Sequence, residues 1–120
     1  GDEITTASSA FLAREVLREK LTRRLNQELP YALTVEIESF EDTAEVIRIN
    51  AIVWVERDTQ KGIVIGKNGT TLKEASTQAR QDLEKLYGKK VFLKAFVKVR
   101  QGWSDDERSL NALGYMSTDL

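Results

Sequence analysis

The chain has neither cysteine nor histidine among its 120 residues, and only one proline and one methionine. Without cysteine there is no disulfide framework, no thiolate metal site and no sulfur nucleophile. Without histidine there is no imidazole base for a serine or cysteine hydrolase, no His-ligated metal and no switch titrating near neutral pH. No apolar run approaches the roughly 18 residues of a membrane span, and no charged-then-apolar leader opens these residues. What is present, 41% hydrophobic and 31% charged residues, describes one soluble globular domain with a core of its own.

The net charge of −1 hides a strong asymmetry. Residues 1–60 carry seven Lys/Arg against twelve Asp/Glu, residues 61–100 carry ten against three, and residues 101–120 carry one against four. One third of the chain therefore presents a positive field to a polyanion.

Periodicity predicts the elements. Gly1–Ala7 read as a flexible lead-in. Ser8 or Ser9 can cap a helix whose stripe is Val16/Leu17, Leu21, Leu25 and Leu29, stopped by Pro30. Leu33, Val35 and Ile37 alternate with Thr34, Glu36 and Glu38, a half-buried strand. After a turn at Glu41-Asp42-Thr43, Val46–Val55 form the second strand of an antiparallel hairpin, with Ile49, Ala51, Val53 and Val55 on its core face. A helix over Thr70–Tyr87 should bury Leu72, Ala75, Ala79, Leu83 and Leu86, and Gly88 ends it. Val91, Leu93, Ala95, Val97 and Val99 mark the third strand. Ser104-Asp105-Asp106-Glu107 form a capping box for a short last helix bearing Leu110 and Leu113. The fold class is α+β, with the helices on one face of a three-stranded sheet. Ile52, Trp54, Phe92 and Phe96 fall on the opposite face, which raises an alternative function, a protein-interaction domain docking a partner there.

The chemistry lies between Lys61 and Lys73. Ile63-Val64-Ile65, read as an apolar half-turn, runs into Gly66-Lys67-Asn68-Gly69, which opens onto the helix. Glycines at both ends of the tetrapeptide permit unusual φ values and leave no Cβ in the way of a close-lying chain. The loop amides and the helix's first N–H groups then face outward, where the helix dipole favours an anion. Lys67 stands inside the loop, with Lys61 and Lys73 on either side. Such a loop suits a sugar–phosphate backbone. A nucleotide-binding P-loop is excluded, because Asn68 follows Lys67 where Ser or Thr must hold magnesium, and Lys61 stands where the first glycine belongs. No G-x-G-x-x-G fingerprint is present. The acids Asp105, Asp106 and Glu107 are accounted for as a helix cap, Glu36 and Glu38 as a solvated strand face, and no catalytic set or cofactor is expected.

The αββααβ order, the G-x-x-G loop and the basic block together describe a type II KH (K-homology) domain, whose loop clamps backbone nucleotides. Longer motifs sharpen the likeness. Phe11–Leu21, Glu28-Leu29-Pro30-Tyr31, Val35–Glu38, Val64–Gly69 with Leu72-Lys73, Ala79-Arg80, and Val97–Arg108 with Leu113-Gly114-Tyr115 resemble the C-terminal KH domain of the bacterial Era GTPases. One departure is Glu74-Ala75-Ser76, where those sequences often have Ile-Gly after Leu-Lys. The resemblance implies a domain over residues 8–115 and a frayed tail over 116–120. It implies a function too, gripping the single-stranded 3′ end of small-subunit ribosomal RNA during assembly of that subunit. The contacts it implies are Gly66, Lys67, Asn68 and Gly69, preceded by Ile63, Val64 and Ile65, with Lys73 and Arg80 as backbone contacts; Lys61, flanking the loop, is counted with them. It further implies an upstream G domain, a cytoplasmic location, and peripheral membrane association belonging to the full-length protein alone. With no guanine-nucleotide motif in these residues, the chain is expected not to hydrolyse GTP.

Overall fold

In a computed structural model, residues 6–25 and 33–100 are described. The order is α1 (Thr6–Leu25), β1 (Thr34–Asp42), β2 (Val46–Val55), α2 (Asp58–Ile65), a 3₁₀ turn (Lys67–Gly69), α3 (Thr70–Tyr87) and β3 (Lys90–Val99). The strands form one sheet in the order β1-β2-β3; β1 and β2 are antiparallel, β2 and β3 parallel. A parallel pair cannot be joined by a tight turn, and here α2, the loop and α3 make the crossover.

The alternation in the strands sets two faces. Rows such as Val35–Val53–Val97 and Phe40–Ile49–Leu93 face the helices, and rows such as Glu36–Ile52–Phe96 and Glu41–Arg48–Phe92 face away. Leu17, Leu21 and Leu25 of α1, Ala75 and Ala79 of α3 and Val64 of α2 close over Val35, Ala51, Val53 and Val97 in one buried cluster. Ala13, Ile47, Ile49, Leu83 and Val91 form a second. The ion pairs Lys20–Asp82 at 2.7 Å and Arg24–Glu74 at 2.8 Å tie α1 to α3 and show the helices antiparallel. Hydrogen bonding from Lys20 holds the Asp82 carboxyl below the usual carboxylate range.

Four details depart from the patterning. First, α1 takes in Thr6 and Ala7, so Ser8 and Ser9 lie within its opening turns and do not cap it; Ser9 is buried. Second, a bulge between Ile37 and Ser39 leaves Glu38 unpaired and reverses the faces beyond it. Phe40 thereby turns inward to meet Tyr87 edge to face at 6.0 Å. Glu41 and Asp42 extend β1, and the turn follows at Thr43, whose Oγ1 donates to the Val46 carbonyl and accepts the Val46 N–H. Third, Leu86 is 55% exposed, and the end of α3 is anchored by Tyr87, whose hydroxyl donates to the Ser9 carbonyl at 2.6 Å. Fourth, Asp58–Ile65 is a full helix, despite a glycine and four β-branched residues. The Gln60 side chain accepts the N–H groups of Glu56 and Arg57 at its start, and Val64 is buried at its end. Tertiary burial overrides weak propensity there. The expected Leu29 stripe position, Pro30 stop, Ser104 capping box and last helix lie outside the described residues.

The turn between α2 and α3 depends on two glycines. Gly66 has φ +82° and ψ 172°, a region open essentially to glycine alone, and a Cβ there would lie 2.2 Å from Thr71 Oγ1 and 2.9 Å from the Thr71 backbone nitrogen. Gly69 is left-handed at φ +74° but has open space around it.

Three outcomes follow for stability. In urea titrations Leu83→Ala should cost about 3 kcal/mol and Leu86→Ala under about 0.5 kcal/mol, since only the first leaves a cavity. Gly69→Ala should cost about 1–2 kcal/mol for its left-handed backbone, and Gly66→Ala about 3 kcal/mol or more, because the collision with Thr71 adds to the strain. Burial, reinforced by the Asp42 charge, pushes the Tyr87 phenol up to about 12 from its ordinary 10. A phenol held neutral in the fold contributes stability that is complete below pH 10 and lost as pH rises through the folded value. Alkaline absorbance titration should show one phenol ionising near pH 12, absent in Tyr87→Phe.

Candidate nucleic-acid interface

α2 and α3 meet at the loop, and each contributes differently. The final turn of α2 brings Ile63 and Ile65 to the loop half-buried, while Val64 points into the core and is fully buried. Val64 is therefore a correction: a helix places neighbouring side chains about 100° apart, so the three aliphatic residues cannot share one face. Ile63 and Ile65 keep apolar surface beside the loop; Val64 anchors it from beneath.

The loop itself lies at the surface, with Lys67 and Asn68 exposed. Its internal bonds are few. The Gly66 N–H donates to the Gly62 carbonyl at 2.9 Å, the Gly69 N–H to the Gly66 carbonyl at 3.0 Å, and Thr70 Oγ1 to the Lys67 carbonyl at 2.8 Å. No backbone bond of the loop uses the N–H of Lys67 or Asn68. Asn68 adopts φ +58°, ψ 25°, the left-handed conformation asparagine tolerates better than most residues. Consecutive αL positions at 68 and 69 turn the chain so that these amides and the start of an 18-residue helix sit together. Backbone donors, a helix N-terminus and an exposed lysine come together at one place, a combination whose partial positive charges favour an anion.

The flanking cations divide into two groups. Lys61, on α2, is partly exposed near the loop, and Lys73 is exposed one turn into α3. Arg80 lies ten residues along α3 from Thr70, about 15 Å at helical rise, and is engaged with Glu84 at 3.1 Å. Glu84 in turn accepts the Val91 N–H at 3.0 Å, and that bond, with Arg80, holds its carboxyl below the usual range. The structure thus sets Arg80 along α3 from the loop, in a pair with Glu84 that leaves its side chain partly exposed, while Glu84 joins α3 to β3. A further cation, Arg24, arrives from α1. It lines an open groove with Thr70, Lys73 and Thr77, its guanidinium held by Glu74. Nothing local in the sequence distinguishes Arg24 from its neighbour Arg23; only the α1–α3 packing does. Among the described residues no group of three or more acidic side chains could hold a metal ion, and no helix is long and apolar enough to cross a membrane.

Comparison with known proteins agrees with this geometry. The KH domain family matches residues 28–104. The chain is 57% identical over 114 residues to the GTPase Era of Stenotrophomonas maltophilia, and 58% identical over the same length to that of Xanthomonas oryzae; each match covers 95% of this chain and 38% of the relative. The chain thus spans under two fifths of the curated relatives it matches. Two crystal structures share its fold at 33% identity. One is Aquifex aeolicus Era bound to GDP and aluminium fluoride, with a TM-score of 0.79 over 95% of this chain and 39% of that one. The other is Era in complex with MgGDPNP and nucleotides 1506–1542 of 16S ribosomal RNA, with a TM-score of 0.76 over 88% and 36%. The loop geometry, the αββααβ topology and these likenesses converge on one conclusion: the chain belongs to the KH domain family, and within it to the KH domains of Era.

Proposed function

We propose that this chain is the RNA-gripping module of an Era-like GTPase, and that it holds the single-stranded 3′ end of small-subunit ribosomal RNA during assembly of the 30S subunit. The observation that carries the reading is the exposed Gly66–Gly69 loop, whose Lys67 and Asn68 amides have no backbone partner at the mouth of α3. The solved Era complex with 16S ribosomal RNA nucleotides supports the choice of RNA. In this reading the Gly66–Gly69 backbone and Lys67 seat phosphates, Ile63 and Ile65 offer apolar surface to bases, and Lys61 and Lys73 add charge along the path. Val64 acts from the core, and Arg80 adds charge farther along α3. The chain performs no catalysis. GTP hydrolysis belongs to an upstream G domain, the other partner the reading requires. The location is cytoplasmic, and any membrane association belongs to the longer protein.

Replacing Lys67 and Asn68 together with Asp puts two carboxylates where phosphates should lie. Affinity for a short single-stranded RNA, measured by fluorescence anisotropy, should fall at least about 10-fold with the thermal melt unchanged. Wild-type affinity should decline with salt at a log–log slope of about −3, if four phosphates are each worth about −0.7. Undiminished binding by the folded double variant would exclude the loop as the clamp.

A further inference from the structure

The sheet face turned away from the helices has an organisation the loop does not explain. On β3, residues of one parity all lie on that face: Lys90, Phe92, Lys94, Phe96 and Lys98. Lysine and phenylalanine alternate along the whole strand, with no acid among them. Phe92 is 42% and Phe96 50% exposed. Arg48, beside Phe92 in the register, puts its guanidinium carbon 5.4 Å from the ring centroid, and Lys90 Nζ lies at 5.0 Å. Two cations are thus gathered at one open ring. Trp54, on the neighbouring strand, is fixed by its Nε1 donating to Glu36 at 2.7 Å.

Lysines on an edge strand ordinarily guard against pairing with another sheet. Guarding has no use for exposed phenyl rings between them. A protein-docking surface would be depleted of lysine at its centre, whereas here every ring has a lysine on each side. What fits alternating rings and cations is a chain that itself alternates planar bases with phosphates. The two rings are four residues apart, about 13 Å along the strand, room for separate bases with a charged site between them.

We propose that the outer face of β3 is a second surface for single-stranded RNA, on which bases stack against Phe92 and Phe96 while Lys94, Lys98 and the Arg48–Lys90 pair meet the phosphates. The surface is independent of the clamp but lies within reach of it. α2, which leads into the loop, packs on β3, and β3 is the edge of the sheet, so an RNA leaving the loop can pass over that edge.

The test compares uridine-rich oligoribonucleotides of about 8 and about 20 nucleotides by anisotropy, since sites of this kind span roughly 4–16 nucleotides. In Phe92→Ala/Phe96→Ala the 20-mer should bind at least about 10-fold more weakly and the 8-mer should be unchanged, whereas the Lys67/Asn68 variant should weaken both. A 20-mer carrying photoreactive 4-thiouridine should crosslink to the β3 peptide as well as to the loop. Should the double alanine variant lose its melt, Lys94→Glu/Lys98→Glu answers the same question through charge. Equal 20-mer affinity in the folded sheet variants, or crosslinks confined to the loop, would overturn the proposal. So would sheet substitutions that alter only self-association, protein capture or binding to anionic vesicles.

Discussion

Position 66 admits no side chain, and the arrangement around the loop depends on that. Its backbone sits where L residues are strained, and the start of α3 closes against the place a Cβ would occupy. Because α2 and α3 can approach so closely there, the chain reverses within a few residues. The amides of Lys67 and Asn68 are left facing outward beside the electropositive end of α3. Val64 anchors the near side of the turn in the core, and Thr70 ties its hydroxyl back to the Lys67 carbonyl on the far side. The loop is held by its two ends, which leaves its crest free to meet an anion. That is how a surface segment with few internal bonds keeps a defined shape.

The same crossover that carries the loop makes β3 parallel to β2 and places it at the edge of the sheet. Helices cover one face; on the other, Phe92 and Phe96 stay exposed, although Ile52 beside Phe96 is buried. On β1 that outer face is acidic, and on β3 it is lysine and phenylalanine, so charge changes sign across three strands. The basic block read along the chain therefore resolves into two separate surfaces, the loop with the start of α3, and the back of β3. Arg80 stands farther along α3 than either, partly exposed beside Glu84.

Much of the fold was legible wherever a single element decided the outcome. The strand at Val46–Val55 and the helix at Thr70–Tyr87 appear where their periodicity puts them. The loop was legible too, since two glycines around Lys-Asn before a helix carry their meaning locally. What was not legible arose from contacts between distant residues. The helix at Asp58–Ile65 runs against its own propensities and is held by a Gln60 cap and the burial of Val64. The bulge at Ile37/Ser39 turns Phe40 inward to meet Tyr87, forty-odd residues away. Tyr87 supplants Leu86 at the end of α3 because the Ser9 carbonyl stands within reach of its hydroxyl.

Alternation, glycine placement and charge distribution along the chain were enough to place the two long helices, the three strands, the α+β class and the glycine loop ahead of α3. These rest on interactions a few residues apart, whose geometry the covalent chain imposes. Which side chains share the loop's surface was decided by tertiary packing: Arg24 is brought beside Lys73, and Val64 is drawn into the core. Burial and ion pairing are settled between segments that the linear order keeps apart, and only the closed fold sets the distances on which those forces depend.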